Sequence, residues 1–505
     1  MNYIHIITAL FTLIAGHDLY YWYEKKQSYP RIMQQRAQAI AANPSLLKYK
    51  TLDHEVILPS LEVQGTIPHW LKGTLIRNGP GKFETSTQTV SHPFDGLAML
   101  HAFSFNNGNV SYANKFLQSN YYKKAMATGS IKKVFSIDPD KLIFKKFLAY
   151  FSPKPIDYDN ANVNVTKIAQ EFVALTETFL PIIFNNKTLE TNEHFIFEDN
   201  LEGQVSTAHP LADAETQETF NYLTHFGKES FYHIYSLPFN SKTRKLIASI
   251  PVENPSYMHS FSITKNYVIL TEIPFRVNPL ALLFSNKPFI QNFVWKPEEG
   301  TIFTIINRND GTIVGRFKGE PFFTFHHVNA FEQNDSIVMD IITYDDASKI
   351  DNLSFEHIFN QTNKTVTNNK LKRFTINTQT RTITSKTIID NDSIEMPQIN
   401  NAYALQPYHY VYTLNNDGSG LSKINVQNGT TLKWEEDNCS ANEPVFVPAP
   451  NAHSEDDGVV LSIILNSKAQ QSFLLILDGK TFKEIGRAMV PHHIPFNLHG
   501  AFFKD

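Results

Sequence analysis

The chain has a single cysteine, no dense run of basic residues and no uncharged apolar segment of membrane-spanning length. Cys439 forms no internal disulfide and builds no thiolate metal site by itself, so any metal has to rely on histidine and carboxylate. A lone cysteine is compatible with a reducing compartment. Lysine and arginine number 45 against 49 aspartate and glutamate, a formal net charge of −4 with histidine neutral. That balance excludes nucleic acid, whose phosphates call for a concentrated basic face. The N-terminal apolar run from Tyr3 to Gly16 is shorter than the ~20 residues of a spanning helix. No basic residue precedes it and Ile14-Ala15-Gly16 is a poor cleavage site, so it reads as a membrane-associating or packing helix, with a signal peptide as the alternative. There is no HExxH pair, no WD or kelch repeat text and no GxGxxG between a strand and a helix; Gly79 to Gly81 read as a turn.

What the chain does have is aromatic and β-branched text. Its 505 residues include 39 Phe and 21 Tyr, with 42% hydrophobic and 19% charged, a globular composition that buries or binds something large and apolar. From about Gly73 onward, short apolar runs such as YVILTEI (267–273), SIVMDIITY (336–344), VVLSIIL (459–465) and SFLLILD (472–478) alternate with turn signals. Asn106-Asn107-Gly108-Asn109, Asn309-Asp310-Gly311 and Asn416-Asp417-Gly418 are hairpin signals. Many short strands without a long linker predict an N-terminal helical extension over 1–50 and one all-β body over 51–505, for which a propeller fits better than a sandwich of about 100 residues. Two apolar, lysine-bearing loops, 143–156 and 278–290, read either as core packing or as a rim that meets a membrane surface.

Nineteen histidines are too many for one site. A histidine in an apolar strand is ordinarily packed and hydrogen-bonded, so a metal set has to be selected by context. Four contexts stand out: His209 in STAHPLAD, His259 in NPSYMHSFSIT, His326 and His327 in FFTFHHVNAFE, and His499 in PFNLHGAFF. Their spread from 209 to 499 requires a fold that brings distant strands to one point, and the inner strands of a propeller face a common axis. Neutral imidazoles would leave a divalent metal its full charge and open positions. Ligand imidazoles donate their other N–H to a carboxylate or carbonyl, which draws attention to Glu177 in FVALTETF, Glu395 in SIEMPQIN and Glu443 in ANEPVFVP. If FFTFHHVNAFE is a strand, only one of its adjacent histidines faces a given site. Geometry alone does not choose between them.

These residues carry a resemblance. GTLIRNGPGKFE (73–84), HPFDGLAMLHAFSF (92–105), NVNVTKIAQEFVALTET ending at Thr178, the four histidine contexts, EMPQIN (395–400), NEPVFVP (442–448), DDGVVLSIIL (456–465) and the closing PHHIPFNLHGAFF occur in one order. That order resembles the carotenoid cleavage oxygenases, including the animal β-carotene oxygenases and the retinal pigment epithelium retinoid isomerase. The resemblance implies a seven-bladed β-propeller capped by loops and short helices. It implies one Fe(II) on the axis, bound by His209, His259, His326 and His499, with Glu177, Glu395 and Glu443 each holding a ligand histidine. Because the family's invariant histidine directly follows the phenylalanine, it selects His326 and leaves His327 pointing away.

The activity implied is cleavage of a conjugated C=C bond of a carotenoid or apocarotenoid by O2, both oxygen atoms entering the carbonyl products, with β-carotene to retinal favoured. The expected setting is cytoplasmic or peripheral to a membrane. IDPDKLIFKKF (137–147) departs from the Pro-Asp-Pro-Cys-Lys signature of the animal enzymes by lacking the cysteine. The alternatives are an isomerohydrolase on retinoid esters, a stilbene-cleaving dioxygenase and a metal-free carotenoid-binding propeller.

Overall fold

The computed structural model describes residues 3–131, 158–285, 287–360, 369–390, 393–415 and 418–504. Within them, seven antiparallel sheets of four to six strands form the blades of a propeller, and Phe275–Val277 pairs with Phe293–Trp295 as a separate two-stranded piece. Blade 1 holds Gly73–Lys82, Leu97–Asn106 and Asn109–Phe116, edged by Val56–Leu58 and Gly500–Phe503. Blade 2 runs from Asn164–Ile168 to Thr191–His194, and blade 3 from Val205–Ser206 and Leu211–Asp213 to Lys245–Val252. Blade 4 runs from Ser262–Ile263 to Ile313–Gly319, blade 5 from His327–Gln333 to Thr382–Asp390, and blade 6 from Ile394–Gln398 to Thr431–Glu435. Blade 7 runs from Cys439–Ala441 and Val445–Pro448 to Glu484–Val490, with Glu62–Gly65 on its outer edge.

The ring is sealed twice. Gly500–Phe503 pairs with blade 1 from Thr74↔Phe503 to Arg77↔Gly500, while the early strand Glu62–Gly65 pairs with the last strand of blade 7. An early strand and a late one are thereby committed to hydrogen bonds across the closure between blades 7 and 1, which guards against the usual hazard of a sheet edge.

The uninterrupted apolar runs are middle strands covered on both faces by neighbouring blades. Ser336–Tyr344 is buried at every position after its first, whereas half the positions of the outer strand Lys245–Val252 and two thirds of those of Thr382–Asp390 are exposed. Phe303 and Ile305 of blade 4 pack with Met339 and Ile341 of blade 5 and Val411 and Ile424 of blade 6, all at 0% exposure. Each such side chain contributes roughly 1.5–3 kcal/mol of burial free energy. The hairpin signals fold as expected where described: Asn107 and Gly108 have φ of 50° and 82°, the two positive values a type I′ turn requires. Asn416 and Asp417 lie outside the described residues, as does the loop 143–156.

A 40-residue helix, Tyr3–Ala42, precedes the blades, and Asn120–Thr128, Pro279–Phe284, Ser348–Asn352 and Phe355–Asn360 are shorter. Among the described residues no helix is long and apolar enough to cross a membrane. Loop 278–290 divides between the two readings: Leu280 is 62% exposed, while Ile290 is buried and Phe289 borders a cavity.

Candidate metal centre

His209, His259, His326 and His499 each sit just ahead of an innermost strand, in blades 3, 4, 5 and 1. Their loops are tied to one another through backbone atoms. The Thr207 hydroxyl donates to the His259 carbonyl and accepts the His209 N–H at 3.0 Å; Ser260 Oγ donates to the Phe325 carbonyl at 2.6 Å and accepts the His327 N–H at 3.0 Å. The His499 N–H donates to the Val163 carbonyl at 3.0 Å, and its carbonyl accepts the Asn78 N–H at 2.9 Å. One candidate ligand atom from each imidazole lies within 4.8 Å of all the others.

The three carboxylates come from the remaining blades, so each of the seven supplies one residue. Glu177 follows Glu171–Leu175 in blade 2, Glu395 lies on Ile394–Gln398 in blade 6, and Glu443 stands between the two inner strands of blade 7. Glu177 meets His259 Nδ1 at 2.6 Å, Glu395 meets His326 Nδ1 at 2.6 Å, and Glu443 meets His499 Nδ1 at 2.7 Å. No carboxylate among the described residues is found on His209.

These contacts decide the tautomers. A carboxylate accepts the Nδ1–H and leaves the Nε2 lone pair free. Yet His209 Nε2 and His259 Nε2 are 3.0 Å apart, and His326 Nε2 and His499 Nε2 are 3.3 Å apart. At His326 and His499, both held by carboxylates through Nδ1, two lone pairs converge and repel unless a cation lies between them, whereas His209, with no carboxylate on it, can take either tautomer beside His259; the donor set fits a divalent metal of the kind imidazole binds. Burial holds His499 down at about 4, against the pull of Glu443, and burial with the neighbouring imidazoles pushes His209 well below its ordinary value. Both are therefore neutral and able to ligate at neutral pH.

The acids stay ionised in spite of burial. Desolvation would raise Glu395, but His326, Tyr344 and the Met396 N–H outweigh it and hold the carboxyl at about 2. Tyr344 Oη donates to Glu395 Oε1 at 2.6 Å and the Met396 N–H to Oε2 at 2.7 Å. Desolvation is likewise overcome at Glu443, which His499 and Arg77 hold at about 2. The buried Arg77 guanidinium donates to Glu443 and, at 2.8 Å, to the Leu498 carbonyl beside His499; Gln398 donates to Glu443 at 2.9 Å. Tyr257 Oη donates to Glu177 at 3.0 Å.

Sequence reasoning missed Tyr257, Tyr344, Arg77 and Gln398. Tyr257, two residues before His259, and Arg77, charged within the apolar GTLIRNGPG, left a local signal; Tyr344 and Gln398 left none.

His327 stands outside the four-histidine cluster, but strand alternation is not what keeps it out. The strand begins at His327, after His326, and its register shifts between His327 and Asn329, so the period-two rule does not separate the two rings. Both border the same axial cavity. Burial pushes His327 down to about 4, against a contact with the Phe261 backbone, and both ring nitrogens are closed off from solvent. The centre thus lies between two cavities. One is mainly apolar, walled by Tyr257, Phe289, Phe325, Leu353 and Phe496 with His259, His326 and His499. The other is polar and runs along the axis past His209, His326 and His499.

A sequence profile of the family described as "Retinal pigment epithelial membrane protein" matches residues 49–504. The chain is 33% identical to the human β,β-carotene 15,15'-dioxygenase, covering 88% of this chain and 92% of that protein. It is 30% identical to the mitochondrial carotenoid-cleaving dioxygenase of Mustela putorius furo, covering 90% and 95%. A cobalt-substituted apocarotenoid oxygenase from Synechocystis has a similar fold, with a TM-score of 0.79 at 27% identity over 92% of this chain and 98% of that one.

Proposed function

The chain belongs to the carotenoid oxygenase family that includes the retinal pigment epithelial protein, and from that premise we propose that it is a dioxygenase cleaving a conjugated C=C bond of a carotenoid or apocarotenoid. The balance is one C=C bond and one O2 giving two carbonyl products, with β-carotene to retinal favoured. The observation that carries this reading is the convergence of four imidazole nitrogens on one point beside a mainly apolar, aromatic cavity.

His209, His259, His326 and His499 would hold Fe(II), which supplies the redox chemistry with O2 that no side chain here can perform. Glu177, Glu395 and Glu443 fix three of the imidazoles in the ligating tautomer and add negative charge around a dication. Phe325, Tyr257 and Phe289 exclude water from the polyene and present ring faces that steady positive charge developing along it. The test is mass spectrometry of products formed under 18O2 from iron-loaded protein given β-carotene, apocarotenals, retinyl esters and stilbenes. Two carbonyl products, each carrying label, are expected from a carotenoid. An unlabelled retinoid alcohol would mean an isomerohydrolase, aldehydes from stilbenes alone would move the substrate class, and no turnover at all would leave a binding protein.

Peripheral membrane association belongs to the same reading. Leu13, Leu19, Tyr20 and Tyr23 of the N-terminal helix are 73%, 67%, 66% and 56% exposed. The later turns of that helix dock on the body, where Tyr29 donates to the Thr85 carbonyl and Arg36 lies 4.4 Å over the Phe355 ring. The chain then continues to Lys48 and Tyr49 in the cavity wall. The 14 residues from Tyr3 to Gly16 extend about 21 Å as a helix, enough to enter one leaflet and too short to cross both. Liposome flotation of Leu13→Glu/Leu19→Glu should show a clear loss of bound protein; unchanged flotation would remove the helix from this role.

A further inference from the structure

The wall of the apolar cavity carries two amines for which a hydrocarbon polyene has no use. Lys48 follows the buried Leu46 and Leu47 in the short helix Pro44–Tyr49, and Lys349 lies on the helix Ser348–Asn352. Both are half-buried and line the cavity beside Tyr49, Tyr344 and Leu353. Lys349 Nζ is 5.8 Å from the centre of the Tyr344 ring, and Lys48 Nζ is 5.6 Å from that of Tyr49. The Tyr344 hydroxyl donates to Glu395, which holds His326, so the Lys349 amine borders the same side-chain network as the metal centre. No step of the cleavage proposed above uses either amine.

The setting of Lys349 favours the neutral amine. Apolar walls penalise an ammonium, and a second lysine in the same wall adds repulsion; both are ways in which a protein turns lysine into a nucleophile for carbonyl carbon. Burial pushes the Lys349 amine down to about 8; Glu395 pulls the other way, and Lys48 adds to the fall. At pH 7.5 such an amine is about one quarter neutral, against roughly 0.1% for an ordinary lysine near 10.4. The rest of the wall selects the partner. Tyr257, Phe289, Phe325 and Phe496 suit a long conjugated chain, and an apocarotenal joins such a chain to a terminal aldehyde.

We propose that Lys349 is a covalent end-group site for polyene aldehydes, holding an apocarotenal as an imine while its chain lies along the aromatic wall toward the four histidines. This rests on the reading of the cavity as a polyene site. The step is a condensation. The amine nitrogen adds to the aldehyde carbon, a C=N bond replaces C=O, and the carbonyl oxygen leaves as water with the two amine protons; nothing is oxidised or reduced. Hydrolysis returns the same aldehyde. The oxygen exchanged is the one the apocarotenal brings with it, not those that enter at the cleaved bond. Fixing the end of the chain sets which double bond reaches the metal, so Lys349 determines bond choice for aldehyde-bearing substrates. β-Carotene has no carbonyl and is not held in this way.

Full-length protein loaded with Fe(II) and kept anaerobic, so that no cleavage competes, would be incubated with β-apo-8'-carotenal at pH 7.5. Cyanoborohydride then fixes any imine as a secondary amine, which intact mass and peptide mapping read. About one adduct per chain, on Lys349, is expected, and Lys349→Arg, which keeps the charge but not the nucleophile, should lower it at least about tenfold. In Lys48→Arg the adduct should stay on Lys349, within about twofold of the parent. Peptide mapping of the parent decides the site even if Lys349→Arg fails to fold. An adduct on Lys48, adducts scattered over surface lysines, or none at all would overturn the proposal. Labelled cleavage products under 18O2 without a Lys349 adduct would sink the imine and leave the dioxygenase standing. A Lys349 adduct in protein that cleaves no polyene would uphold the aldehyde site and remove the cleavage.

Discussion

Replacing Glu443 by Gln separates two things the carboxylate does. Its charge holds His499 in the ligating tautomer through the 2.7 Å contact, and it neutralises Arg77, which is 1% exposed. The first role sets metal affinity. Loss of a carboxylate behind a ligand histidine typically costs 10–100-fold, or about 1.4–2.7 kcal/mol. The second role sets stability, because an uncompensated buried guanidinium costs about 3–5 kcal/mol when its partner is removed. The substituted amide would still accept one hydrogen bond from Arg77 or His499 but not both with charge, placing the expected loss toward about 3 kcal/mol. Urea unfolding in the presence of chelator reads stability without the contribution of bound metal, and Co2+ titration of the folded protein reads affinity. Adding Arg77→Met should recover most of the stability and none of the affinity. Restored affinity in the double variant, or affinity within about twofold of the parent in Glu443→Gln alone, would refute the division of labour.

Two other outcomes follow from the same structure. His92 and His493 are held by burial at about 3 and about 4, and burial also pushes His101 well below its ordinary value. Each is neutral in the folded chain and takes up a proton on unfolding once the pH drops below about 6.5, so stability should fall as pH goes from about 6.5 to 4, by on the order of 1 kcal/mol per pH unit per histidine. Urea midpoints measured across that window check it, and a midpoint that rises toward pH 4 would contradict it. Gly500→Ala would press a methyl group onto the Ile76 carbonyl and to 2.9 Å from Arg77 Cα, forcing apart the strand pair that closes the ring next to His499. We expect loss of both thermal stability and metal retention, measured by calorimetry and elemental analysis; loss of neither would mean the closure is more compliant than its packing indicates.

Local features were legible in the sequence, and features made by distant blades were less so. The Asn107-Gly108 turn follows from a two-residue preference, and runs such as SIVMDIITY announce strands buried on both faces. The seven residues from Glu177 to His499 were singled out by their apolar contexts and their family order, and the fold brings them together at one point on its axis. Strand periodicity could not choose between His326 and His327; the family order chose His326, and the register shift that sets the alternation rule aside there is invisible in the text FFTFHHVNAFE. Tyr344 escaped notice because its role depends on Glu395, 51 residues away in the next blade. The short spacing of Tyr257 to His259 could have been read; the pairing of Arg77 with Glu443, 366 residues apart, could not.

The central claim, that one of two adjacent histidines belongs to a four-imidazole metal centre, is tested most directly by the equilibrium iron content of His326→Ala and His327→Ala after anaerobic loading with Fe(II). The account predicts that His326→Ala loses nearly all bound iron while His327→Ala retains close to one ion per chain, because only His326 has its Nδ1–H held by a carboxylate and its Nε2 directed at the other ligands. Equal loss in the two variants, or retention by His326→Ala, would contradict it.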